Sequence, residues 1–147
     1  MSSVTVFVDI KASLAVVWEA ASDLAKHEQW MGDVESIEFD SGIEAGPGTT
    51  MRVGTRVGPF RTTDVMVVTA WEPNHRIAVE HRGLFTGRGE FTLSPLAGAT
   101  RFTWTEEISF PWHFGGPIGA AFGRPILASI WRRNLHRFKL LLEPPAP

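Results

Sequence analysis

The chain has 147 residues, 44% hydrophobic and 20% charged, with a formal net charge of -2 at pH 7. That balance excludes a disordered or fibrous chain, and the absence of a basic excess argues against a nucleic-acid binder. There are no cysteines, so disulfides, thiolate nucleophiles and Cys-ligated metals are excluded.

In chain order, “VTVFVDI” (Val4 to Ile10) sets Val4, Val6, Val8 and Ile10 against Thr5, Phe7 and Asp9, the period-two pattern of a strand with one apolar face. Ser13 and Asp23 are N-cap candidates for two short helices, Leu14 to Ala21 and Leu24 to Gln29. From Val34 to Phe110 strand-like runs follow one another: “VESIEFD”, “TTMRVGTRV”, “FRTTDVMVVTAW”, “HRIAVEHRG”, “TGRGEFTLSP” and “TRFTWTEEISF”. Turn signals such as “EAGPG”, “VGP”, “EPN” and “LAGA” separate them at the spacing of a meandering antiparallel sheet, and Gly54, Gly87 and Gly89 suit bends or bulges in it.

The last periodic stretch, Arg124 to Glu143, places Leu127, Ile130, Trp131, Leu135, Phe138, Leu141 and Leu142 on one helical stripe. Arg132, Arg133, His136, Arg137 and Lys139 fall on the other side, and the terminal prolines end the helix. The charge is uneven: after Ile108 there are five basic residues (Arg124, Arg132, Arg133, Arg137, Lys139) and one acid, Glu143, whereas the rest of the chain carries an acidic excess. The layout is a single α+β domain over residues 1–147: seven strands in a curved antiparallel sheet, two short helices after the first strand, and a long helix covering one face.

Five histidines, His27, His75, His81, His113 and His136, show no close ligand spacing, so no metal site is expected. Neither GxSxG nor GxxxxGK[ST] occurs, and no cofactor is expected. No apolar run approaches the roughly 18 residues of a membrane span and the N-terminus does not read as a secretory signal, so a cytoplasmic setting is expected.

With this order of elements, “VWEAASDLAKHEQWMGDVESIEF”, “GPGTTMRV”, “VTAWEPNHRIAVEH” and “GRGEFTLSPLAGATRFTWTEE” resemble the START-like, Bet v 1-like (SRPBCC) helix-grip superfamily, in particular its bacterial polyketide cyclase/dehydrase and lipid-transport branch. The resemblance covers essentially the whole chain. It implies an internal cavity between the concave sheet and the last helix, used for small hydrophobic molecules. Related sequences often have a proline in the turn that reads “HEQWMGD” here.

Given such a cavity, alternation selects the residues that face it. On the last strand Phe102, Trp104, Glu106, Ile108 and Phe110 share the apolar face, which places the Glu106 carboxylate among hydrophobic groups. On “RIAVEHR”, Ile77, Val79 and His81 point together, making His81 the one histidine assigned to the cavity. Asn134 interrupts the apolar stripe of the last helix and is the leading candidate for a polar ligand contact. Trp30, Trp104, Trp112, Phe122 and Trp131 are candidates for an aromatic lining. Arg52, Asp64 and Arg101 are further polar strand residues, the face of Asp64 undecided because both faces of its strand are apolar.

The stretch “FPWHFGGPIGAAFGRP” (Phe110 to Pro125) reads as a hinge or lid at the cavity mouth. Gly115, Gly116 and Gly119 would let the backbone rearrange, Pro117 and Pro125 would interrupt helix, and Trp112, Phe114 and Phe122 would offer apolar contacts to a ligand or, transiently, a membrane surface. The resulting functional expectation is carriage or processing of a polyketide, lipid or isoprenoid by a monomer or homodimer. One alternative is an aromatase/cyclase or dehydratase in which Glu106 or His81 moves protons. Another is a protein-interaction module built from the basic last helix and the Trp112 to Phe122 loop.

Overall fold

The structure, a computed structural model, describes residues 2–83, 85–110 and 115–143. Its elements are β1 (Ser2–Ile10), α1 (Leu14–Ser22), a 3-10 helix (Leu24–Gln29), β2 (Val34–Phe39), β3 (Thr50–Val57), β4 (Phe60–Glu72), β5 (Arg76–Arg82), β6 (Thr86–Leu96), β7 (Ala99–Ser109) and α2 (Gly116–Leu142). All seven strands lie in one antiparallel sheet in the order β1-β7-β6-β5-β4-β3-β2. Strands β2 to β7 meander, and β1 pairs with β7, Ser2 opposite Ile108 and Ile10 opposite Thr100. This is the helix-grip architecture expected from the sequence.

Local chemistry sets the boundaries. Ser13 caps α1, its hydroxyl accepting from the Val16 N–H at 3.3 Å, and α1 buries Val17 and Ala21. Asp23 makes no corresponding capping bond, and the segment after it winds as a 3-10 helix. On β7 the alternation holds: Phe102, Trp104 and Glu106 are buried, and the residues between them are half-buried.

The core sits where the middle and end of α2 meet β1, β6 and β7. Phe138 packs on Phe102 with ring centroids 5.0 Å apart and on Trp30 at 4.6 Å, while Trp131 stacks on Trp104 at 4.9 Å. Phe102 and Phe138 are fully buried, a gain of about 2 to 3 kcal/mol each. Past them, Lys139 Nζ donates to the Asp9 carbonyl at 2.6 Å and pairs with Glu143 at 2.8 Å, tying the end of α2 to β1. Leu141, assigned to the buried stripe by spacing, is 56% exposed.

The glycine-rich stretch departs most from expectation. Residues 111–114, including Trp112, lie outside the described residues, but from Gly116 onward the segment is helix and Pro125 lies inside it. Gly115 occupies the N-cap in the left-handed region (φ 89), a conformation open to glycine, and Pro117 falls in the first turn, where a missing N–H costs nothing. Two turns assigned to a lid are thus the start of the gripping helix.

Candidate functional site

A cavity of about 390 Å³ opens between the concave face of the sheet, the 3-10 helix and the first half of α2. Met51, Val53, Ile77 and Val79 form its apolar floor, and the stacked Trp104 and Trp131 form a wall. Phe60 and Ile126, 62% and 55% exposed, line it as well and mark its mouth, beside the edge-to-face pair Phe85 and Phe110.

Three charged groups meet in one cluster in this largely apolar wall. His81 on β5 and Glu106 on β7, each picked from alternation alone, are brought together: His81 Nε2 lies 2.7 Å from Glu106 Oε2. Trp104 Nε1 donates to the other carboxylate oxygen, Oε1, at 3.0 Å. The third group is Asp64 on β4, whose Oδ2 is 3.6 Å from His81 Nδ1, a separation of charge attraction rather than hydrogen bonding. His81 Nδ1 and Asp64 Oδ1 are buried without a hydrogen-bond partner among the described residues.

Strand register builds the cluster. Met66 pairs with His81 and Val79 with Gly89, and Gly89 in turn faces Glu106, so Asp64, His81 and Glu106 form a diagonal across four strands. Glycine makes room for the carboxylates. A Cβ on Gly89 would come within 2.5 Å of both Glu106 oxygens, and one on Gly83 would overlap Asp64 Oδ1. Neither glycine has a positive φ, so space is what each supplies.

Burial opposes the charged form of His81, but the carboxylates of Asp64 and Glu106 outweigh it and push its pKa up to about 10. At neutral pH the ring is an imidazolium held between two carboxylates. It can donate hydrogen bonds and stabilise negative charge; it does not abstract a proton. Protonation also makes both ring nitrogens donors, which satisfies Glu106 and leaves Nδ1–H directed at Asp64.

His27, which alternation could not place because it lies on the 3-10 helix, also lines the cavity. Its Nε2 is 2.8 Å from the Ala21 carbonyl and burial lowers its pKa to about 4, so it is a neutral donor at pH 7. Among the described residues no group of three or more His, Asp or Glu is arranged to hold a metal ion.

The remaining candidates separate. Trp30 is buried in the aromatic core and does not line the cavity. Phe122 is 74% exposed and also outside the lining. Asn134 is buried, but its amide is satisfied within the chain: Oδ1 accepts from the Gly32 N–H at 3.0 Å and Nδ2 donates to Asp33 Oδ1 at 2.7 Å. It clamps the turn before β2 and does not reach the main cavity. Arg52 pairs with Glu38 and Asp40, and Arg101 with Asp9, all on partly exposed surface. No described helix is long and apolar enough to cross a membrane.

Known proteins share this architecture. The chain is 18% identical to TTHA0849 from Thermus thermophilus, with a TM-score of 0.80 over 96% of this chain and 97% of that one. It is 18% identical to the Zhui aromatase/cyclase from Streptomyces sp. R1128, with a TM-score of 0.73 over 96% and 93%. An uncharacterized protein of Mycobacterium tuberculosis is 24% identical over 140 residues, 94% of this chain and 96% of the relative. Residues 1–143 match the family model described as polyketide cyclase / dehydrase and lipid transport, and the chain belongs to that family.

Proposed function

We propose that the chain binds a small hydrophobic molecule carrying a hydrogen-bonding oxygen, its apolar body on Met51, Val53 and Val79 and its oxygen at the Asp64–His81–Glu106 cluster. The observation that carries this reading is the cluster itself: a buried imidazolium between two carboxylates in the wall of a largely apolar cavity. Burying three charged groups is costly unless they are paired, and they contribute nothing to packing that a leucine would not. The cavity volume of about 390 Å³ lies within the range of small-molecule sites. Both carriage and processing of a polyketide, lipid or isoprenoid begin with this binding step.

Saturable binding of the neutral dye N-phenyl-naphthylamine at one site per chain is the expected result, and Val79→Trp, which fills the floor, should abolish it. Dye binding that survives this substitution at full affinity would remove the cavity from the account. Native mass spectra of freshly purified protein then identify any adduct that copurifies.

One observation also supports a cyclase- or dehydratase-type activity. The Nδ1–H of the His81 imidazolium, without a hydrogen-bond partner among the described residues, is suited to protonating a substrate carbonyl as it enolises while a carboxylate of the cluster takes the α-proton, with the cavity holding the reacting chain in a productive geometry. Turnover that persists in both Glu106→Gln and His81→Ala would exclude that chemistry. An interaction module on the basic face of α2 would leave both the cavity and its charges without a use.

A further inference from the structure

A second cleft, of about 190 Å³, lies on the outer side of the cavity, between the turn before β2, the β3–β4 hairpin and the middle of α2. It shares Asp33 and Val57 with the cavity lining, so the two spaces adjoin. Three arginines converge on it: Arg56 from the hairpin, and Arg133 and Arg137 from successive turns of α2.

These arginines have few partners of their own. Arg56 Nε donates to the Gly58 carbonyl at 3.1 Å and its guanidinium is 3.9 Å from Glu35, which also pairs with Arg61 at 3.4 Å. Neither Arg133 nor Arg137 has a hydrogen bond or ion pair among the described residues. Asp33, the single carboxylate in the cleft, already accepts from Asn134 through Oδ1.

The wall beneath the arginines is built for them. The Arg137 guanidinium lies against Gly32, where any Cβ would overlap it, although Gly32 does not have the positive φ that would itself call for glycine. Asn134 fixes that same turn through the Gly32 N–H and Asp33, which gives this buried amide a purpose the cavity did not. The result is a preformed, cationic recess at the edge of an apolar cavity, a geometry suited to a planar or tetrahedral oxyanion.

We infer that this cleft takes the carboxylate or phosphate of the molecule whose apolar body fills the cavity, so that the ligand class is an anionic amphiphile. This rests on the cavity reading given above. Charge also fixes the orientation: the inner cluster presents two carboxylates to one imidazolium and repels an anion, whereas the outer cleft presents three guanidinium groups to one carboxylate. The anionic end faces outward, and a neutral oxygen reaches the cluster.

The test is displacement of N-phenyl-naphthylamine by decanoate, decyl phosphate and decanol at low ionic strength, in the wild-type chain and in R133A/R137A. Wild-type protein is expected to prefer at least one of the two anions over decanol by about tenfold, as charge-assisted bonds to arginine imply. The ratio should fall to within about twofold of unity in the double variant and should decline with added salt in the wild type. Which anion leads tells carboxylate from phosphate. Equal displacement by all three compounds would overturn the inference while the cavity stands. A dye that none of them displaces would instead count against the cavity reading.

Discussion

The two ends of the space beneath α2 are made differently. Toward the C-terminal half of α2, Trp30, Phe91, Phe102, Trp104 and Phe138 meet at ring separations between 4.6 and 6.3 Å. Toward the N-terminal half, smaller side chains from β3, β4 and β5 line the interior, the helix carries Gly119, Gly123 and Pro125, and about 390 Å³ stays open. One end of the same helix and sheet is filled to hold the fold, and the other is left unfilled and given charges. Stability and binding are therefore expected to separate along the helix.

The largest effect should come from the filled end. Phe138→Ala removes a fully buried ring and is expected to cost about 3 to 5 kcal/mol in urea unfolding, while the folded fraction still binds the dye. If dye affinity fell in proportion to stability, the two ends would not be separate.

Next comes the cluster. His81→Ala leaves Asp64 and Glu106 buried without their common cation and is expected to cost about 3 kcal/mol near pH 7. The cost should shrink as pH rises from about 6.5 toward 10, where His81 loses the proton that holds the two carboxylates together. A cost that stays constant across that range would mean packing alone was lost.

The two buried histidines also give the native chain a pH signature. The pKa of His81 is raised to about 10, so its contribution is complete below the unfolded value near 6.5 and is lost as pH rises from there toward 10. The pKa of His27 is lowered to about 4, so its contribution is complete above 6.5 and is lost as pH falls toward 4. Urea midpoints should therefore peak between the two limbs. His27→Gln should flatten the acid limb and leave the alkaline one, and the reverse outcome would refute the assignment.

The smallest change in stability belongs to the open end. Val79→Trp, which abolishes dye binding if the cavity is the site, should alter stability by no more than about 1 kcal/mol, because the added ring enters existing space. A loss of several kcal/mol would show that the cavity wall cannot accept it.

Much of this was legible in the sequence, for reasons that can be traced to particular residues. Alternation on β7 exposed Phe102, Trp104 and Glu106 as one face, and that on β5 exposed His81, because a pleated strand turns every second side chain inward. Asp64 escaped the same argument. On β4 the inward residues Thr62, Asp64, Met66 and Val68 are followed by a bulge between Val68 and Ala70, after which Trp71 packs inward. A change of phase within “DVMVVTAW” makes both faces apolar, and single-strand alternation cannot resolve it. The start of α2 was hidden for another reason: glycine and proline disfavour helix intrinsically, yet a proline in the first turn and packing on the sheet override that preference. Asn134 was read correctly as an amide on a covered face, but its partners, Gly32 and Asp33, are over a hundred positions away and no spacing rule joins them.

Gly89 places the chemistry of the cavity a single methyl group away from a different one. A methyl there would meet the Glu106 carboxylate and force it to move, parting the acid from His81 while the helix, the aromatic core and the strand order retained their own supports. If the cavity binds as proposed above, one codon change redirects what it selects without requiring the fold to be rebuilt, a short mutational path between ligand specificities.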